Sequence, residues 1–240
     1  MDNPGYVALT RQSGLMREMQ VVANNIANMA TTGFRREGVV FAEYVSATGR
    51  DSESLSMGDA IGRSISPAQG AISRTNGEFD IAIEGPGFFL VETPEGQALT
   101  RAGNFIRNEV GELVTPEGYR LLDAGGAPVF VPAQVRGIAV AGDGTLSADG
   151  APLTRIGGWA PIDPTELSRQ AGTVFNAPTG VEPLEDVRFI HGALEASNVD
   201  PVSEIARMIK VQRAYELGQS FLDAEDSRVR DFLRTVGSRS

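Results

Sequence analysis

The sequence predicts an α+β fold: long N- and C-terminal helices packed as a coiled coil or bundle, with a central, mainly antiparallel β domain. Three observations lead there. Apolar residues recur at helical spacing near both ends. Between them, short alternating runs are punctuated by glycine and proline, the rhythm of short strands joined by turns. Charge divides the same way: residues 1–50 sum to +1 and 191–240 to −1, whereas 51–190 carry −10, equal to the net charge of the whole 240-residue chain.

The first helix rests on Leu15, Met19, Val22, Ile26 and Met29, a heptad-like stripe in a stretch without proline. Ala30-Thr31-Thr32-Gly33 ends it, with Gly33 free to take a left-handed conformation. Asn24, Asn25 and Asn28 are unusual inside a helix, because short amides compete with the backbone. They read either as a polar face or as amides that fix register between neighbouring helices. The last helix starts at an Asp200 cap followed by Pro201 at its first position. Glu204 falls one place beyond a capping box. Ile205, Met208 or Ile209, Gln212, Tyr215, Leu222, Val229 and Leu233 line a broken apolar stripe that Val236 extends, which fits packing against several neighbours better than a simple two-stranded zipper. Such a face, left open on a single chain, invites association.

In the centre, Glu78–Glu84 alternates with Phe79, Ile81 and Ile83 on one face. Gly85-Pro86-Gly87 turns into Phe88–Val91, and short strands are expected at 97–101, 104–107, 112–115, 119–122, 128–131, 136–141 and 145–147, with more over 153–176. The partition is a helical domain of residues 1–33 and 198–240, a connector over 34–75, a β domain over 76–180 and a returning connector over 181–197.

Chemistry finds little support. There is no cysteine, so disulfides and thiolate metal sites are excluded, and the single histidine, His191, excludes zinc sites needing two. No cofactor or metal ligand set is expected. Gly142 to Gly150 resembles part of an acidic metal loop but lacks its full ligand pattern and closing glutamate, so Asp-Gly hairpin turns are the better reading. His191, Ser197 and Asp200 do not form a triad, because Asp200 has a capping task. Arg35-Arg36 reads as a solvated pair or as partners for acidic neighbours. The acidic balance disfavours nucleic acid and anionic membranes, and no apolar run is long enough to span a bilayer. The N-terminus does not read as a cleaved secretory signal, which leaves open export without cleavage.

Asn24-Asn25-Ile26-Ala27-Asn28 with Thr31-Thr32-Gly33-Phe34-Arg35 resembles the N-terminal signature of bacterial flagellar rod and hook proteins. Gly192 to Val199, continuing through Glu204, Met208-Ile209 and Gln212-Arg213-Ala214-Tyr215-Glu216, resembles the matching C-terminal signature. Phe79–Ile83, Gly85–Val91, Thr100–Phe105 and Gly111–Gly118 add the centre, so the resemblance runs through nearly the whole chain, with the proximal-rod branch as the nearest likeness and the distal rod as its rival. The resemblance implies a structural subunit rather than an enzyme. It implies partners in other copies of the chain, neighbouring rod proteins and the flagellar export apparatus, and a place in the periplasmic rod of the basal body. Leu15, Met19, Val22, Asn24, Asn25, Ile26, Asn28, Met29, Ile205, Ile209, Gln212, Tyr215 and Leu222 are the expected assembly interface. Two other classes stand beside this reading: an oligomeric β-domain binding module and a glycan-active enzyme built on a carboxylate pair.

Overall fold

The structure is a computed structural model that describes residues 3–46, 55–135 and 137–237; Arg136, in one expected strand, and residues 47–54, in the expected connector, lie outside it. The chain divides into two compact units.

The first unit holds the terminal helices, α1 (Asn3–Ala27) and α2 (Pro201–Gly237), and two long strands, β1 (Glu37–Ser46) and β2 (Leu55–Ile65), which pair with each other. Both strands fall where a connector was expected. Val39, Val40, Phe41, Tyr44 and Val45 favour a strand in β1, and pairing with it lets the smaller and more polar residues of β2 complete a ribbon. The helices run antiparallel. Asn25 meets Glu204, Glu18 pairs with Arg207 at 2.8 Å, and the Gln12 amide donates to the Tyr215 carbonyl at 3.0 Å. Gly218 makes room for that amide, since a Cβ there would lie 2.7 Å from Gln12 Nε2. Among the described residues, Val21, Val22 and Val211 are the buried apolar side chains of this unit. At the start of α2, Asp200 Oδ2 accepts from the Ser203 amide at 3.1 Å and from its hydroxyl, satisfying an otherwise orphaned helix N–H. Those bonds hold the exposed Asp200 carboxyl below the usual carboxylate range.

The second unit comprises Asn28–Arg36 and Ile65–Val199. Its strands are β3 (Ile72–Arg74), β4 (Ile81–Glu84), β5 (Phe89–Thr93), β6 (Gly96–Thr100), β7 (Ile106–Arg107), β8 (Leu113–Val114), β9 (Arg120–Leu121), β10 (Ile138–Val140), β11 (Thr145–Ala148), β12 (Ala151–Arg155), β13 (Gly158–Pro161), β14 (Ser168–Ala171), β15 (Val174–Asn176), β16 (Val181–Leu184), β17 (Arg188–His191) and β18 (Ala193–Glu195). A seven-stranded sheet in the order β14-β15-β6-β5-β9-β8-β7 is antiparallel throughout. Smaller sheets pair β4 with β17, β3 with β18, β13 with β16, and β10, β11 and β12 in order. The expected strand at 128–131 is reduced to isolated bridges of Pro128 with Leu122 and Phe130 with Glu112.

Ile81 and Ile83 lie in the main core with Phe89, Phe105, Leu113, Leu121, Leu146 and Phe189, and Phe79 packs against them, as the alternation requires. Ala82 is buried too, so β4 is covered on both faces. The hairpin of β11 and β12 turns through Asp149 (φ 49°) and Gly150 (φ 84°), two left-handed residues in succession, which matches the right-handed strand twist. The residues expected as a returning connector instead form β16, β17 and β18, because their partners β13, β4 and β3 offer open edges.

Candidate functional site

Two polar joints organise the chain. The first, in the second unit, brings together segments far apart in sequence. Arg101, 1% exposed, donates through Nε and Nη2 to Glu195 Oε2 at 2.8 and 2.6 Å. Nη1 donates to the Gly87 carbonyl at 2.6 Å, and the same Nη2 also reaches the carbonyls of Gly85 (3.0 Å) and Ile83 (3.1 Å). Arg35, also buried, pairs with the other oxygen of Glu195 at 3.2 Å and donates to the carbonyls of Pro67 and Ala68. That Glu195 oxygen accepts in addition from the Gly70 amide at 3.0 Å. One carboxylate thus holds two guanidinium groups, and the two arginines reach five backbone carbonyls. The fixed fork of guanidinium donors suits this task, which a lysine cannot perform.

Burial dominates both arginines. It pushes Arg101 down to about 10, opposed by the attraction of Glu195 and aided by the repulsion of Arg35. It lowers Arg35 as well, again opposed by Glu195. A guanidinium keeps its charge inside a protein, so two cations face one carboxylate in the joint.

Backbone contacts close around this centre. Gly33, at φ 68°, donates to the Glu195 carbonyl at 2.7 Å, and a Cβ on it would lie 2.3 Å from the Ala102 nitrogen. Gly33 is therefore a point of close approach; α1 ends earlier, at Ala27. Asn198 accepts from the Arg36 amide at 2.5 Å and donates to Ala68 at 2.7 Å. Arg169 stacks over Phe34 at 4.1 Å and Phe175 at 4.8 Å and donates to the Arg35 carbonyl. Arg35 is thus no solvated surface charge; its acidic partner is the buried Glu195.

The second joint lies in the first unit. Asn25, fully buried, donates to the Glu37 carbonyl at 2.8 Å and accepts from the Glu37 amide at 3.0 Å, acting as a strand partner for β1. Its amide also reaches Glu204 at 3.3 Å. Glu37 and Glu204 are each 1% exposed, and Arg63 lies 3.5 Å from Glu37.

The expected interface residues separate by exposure. Val22 and Asn25 are covered within the chain. Leu15, Met19, Asn24, Ile26, Asn28, Tyr215 and Leu222 are half-buried, whereas Met29, Ile205, Ile209 and Gln212 are exposed. Gln212 bonds along its own helix to Glu216 at 3.1 Å, and Asn28 accepts from Thr31 at 3.2 Å. On α2 the structure adds exposed Val202, Leu217, Phe221 and Phe232, and it leaves Val229 and Val236 of the expected stripe exposed. Their spacing was visible in the sequence, but their exposure depends on where α1 lies.

A crevice of about 310 Å³ in the second unit is lined by Asp143, Arg155, Trp159 and Glu185 among others. Two hydrogen bonds from Thr145 hold Asp143 below the usual carboxylate range, opposite to what a general acid needs. His191 contacts the Glu78 carbonyl from within β17. No cluster of metal-ligating residues occurs among the described residues.

Exposed apolar helix faces, with buried ion pairs and amide bonds made within the chain, are features of a structural subunit. Three family matches agree. Residues 6–35 match "Flagella basal body rod protein", 82–148 match "Flagellar hook protein FlgE/F/G D1 domain", and 190–234 match "Flagellar basal body rod FlgEFG protein C-terminal". The chain is 37% identical to the flagellar basal-body rod protein FlgF of Mesorhizobium japonicum over 100% of both chains, and 37% identical to FlgF of Caulobacter vibrioides over 99% of both. It is 28% identical to FlgG of Bacillus subtilis over 95% of this chain and 97% of that one. The chain belongs to the flagellar basal-body rod protein family, a structural and non-catalytic class, and its similarity favours the proximal FlgF type over the distal FlgG type. Among the described residues, no helix is long and apolar enough to cross a membrane.

Proposed function

We propose that the chain polymerises helically with other copies and with neighbouring rod proteins in the periplasmic part of the basal body, and that the assembled rod transmits torque. The observation that carries this reading is the exposed apolar surface of α2, with Ile205 and Ile209 each about half exposed. Incoming subunits cover that surface, and its burial offsets the entropy of ordering the helices. The half-buried Leu15, Met19 and Ile26 contribute on α1, and the exposed Met29 contributes from the turn that follows it. Val22 and Asn25 act indirectly, by fixing the helix pair that presents the others. Head-to-tail contacts that do not close into a ring generate a filament. The chain reaches its place through the flagellar export apparatus, passing in an unfolded state, and the joints form after passage.

The test replaces Ile205 and Ile209 with aspartate. Both are exposed, so the isolated chain keeps its fold, read by circular dichroism and Trp159 fluorescence. Rod incorporation in purified basal bodies should fall at least tenfold; incorporation at the parent level would refute this assignment.

A further inference from the structure

The ladders that close the second unit join its two extremes in sequence. Arg188 pairs with Glu84 and Glu195 with Ile72. The Gly192 carbonyl accepts from the Thr75 and Asn76 amides at 2.8 and 3.0 Å, and the Gly192 amide donates to the Asp80 carbonyl at 2.8 Å. Residues 188–198 therefore hold the first strands of the unit. Loops this long are slow to close, so these contacts lag behind local hairpins.

Arg101 depends on the last of these strands. It follows β6 directly, and its guanidinium lies against the turn before β5, where the carbonyls of Ile83, Gly85 and Gly87 accept from it. β6 and β5 are neighbours in the middle of the seven-stranded sheet. Packing this hairpin takes a guanidinium out of water, and carbonyls solvate its charge without neutralising it. Among the described residues, its acidic partner is Glu195, which enters from β18. Without that carboxylate, the charge nearest to Arg101 is the repelling Arg35. A buried charge left without its partner is strongly destabilising. The hairpin that local contacts would form first thus waits for a residue that comes last in the unit.

We infer that Glu195 is a folding latch: the second unit stays open until residues 188–198 bring this carboxylate to Arg101, and then closes in one step. This rests on the passage of the chain in an unfolded state, proposed above, and names what keeps the unit open during it. Either direction of passage gives the same result. Where residues 188–198 lead, the chain behind them has lost the carboxylate; where they trail, the chain ahead waits for it. The second unit therefore does not fold halfway through.

The test follows refolding of the full chain from denaturant. Pulsed hydrogen-exchange labelling of the parent chain should find the amides of β5 and β6 gaining protection in the same phase as those of β17. Glu195→Gln should refold roughly tenfold more slowly, read by Trp159 fluorescence, with its folding rate changed more than its unfolding rate. A charge-free joint, R35M/R101M/E195M, should refold at the parent rate, because no desolvated charge waits for a partner. Protection of β5 and β6 ahead of β17 overturns the inference. So does a Glu195→Gln chain that folds at the parent rate and only unfolds faster, or a charge-free joint as slow as Glu195→Gln. The labelling uses the parent chain, so it decides even where Glu195→Gln does not fold. Refolding involves no export: a failure here leaves the rod reading standing, and a chain that never enters the rod leaves the latch standing.

Discussion

Replacing Glu195 with glutamine keeps the size of the side chain and removes the one negative charge between Arg101 and Arg35. Both guanidinium groups stay buried, because their bonds to the carbonyls of Ile83, Gly85, Gly87, Pro67 and Ala68 hold them in place. The joint then carries two uncompensated charges instead of one. Leaving a buried partner unpaired costs about 3–5 kcal/mol, against a total domain stability of roughly 5–15 kcal/mol. For a unit of this size that lowers the unfolding midpoint by roughly 6–20 °C. Trp159, the only tryptophan, lies in the same unit and reports its unfolding by fluorescence, while circular dichroism follows α1 and α2 in the full chain. A loss below about 1 kcal/mol, the range of a surface ion pair, would refute the view that Glu195 neutralises a desolvated joint.

Arg101→Lys should cost about 2–3 kcal/mol in the same assay, because the charge survives but the planar fork that serves Glu195 and three carbonyls does not. Gly33→Ala should destabilise by about 2–5 kcal/mol, from a left-handed conformation and a Cβ driven into the backbone at Ala102, and thermal unfolding checks it. Asn25→Ala should cost about 2–3 kcal/mol in denaturant unfolding, since the Glu37 amide and carbonyl lose their partner in a buried site. Asp200 has a lowered value in the folded chain, so the unfolded chain binds the proton more readily. Its stabilising effect is then complete above the ordinary value of about 3.9 and is lost as pH falls through the folded value. An acid titration of helix content should lose that component in Asp200→Asn, with no difference in shape between the two curves as the contradicting result.

Periodicity made the helices and main strands legible. The stripe from Leu15 to Met29 marked α1, Asp200-Pro201 marked the start of α2, and Phe79, Ile81 and Ile83 marked a core face. β1 and β2 were not legible as a pair, because their pairing is long-range and β2 is rich in small and polar residues, although Val39, Val40, Phe41, Tyr44 and Val45 give β1 a strand-like composition. The same holds for β16 to β18, which take their structure from distant partners. The joint was half visible. The sequence displays Gly33-Phe34-Arg35 and Glu195 to Asn198 as signatures, but no local pattern says that residues 160 positions apart share one carboxylate. Arg101 gave the faintest signal: a single arginine after a strand looks like a surface charge until the turn at Gly85–Gly87 is seen folded over it. Asn25 was noticed for its oddity in a helix; that its amide serves β1 could not be read before β1 itself was known.

The central claim is that this chain is a structural segment of the rod. Its most direct test is imaging of basal bodies purified from cells that lack the chain, with and without the chain restored. The account predicts a rod that stops short at its proximal part and regains full length on restoration, whereas complete rods in the absence of the chain would contradict it.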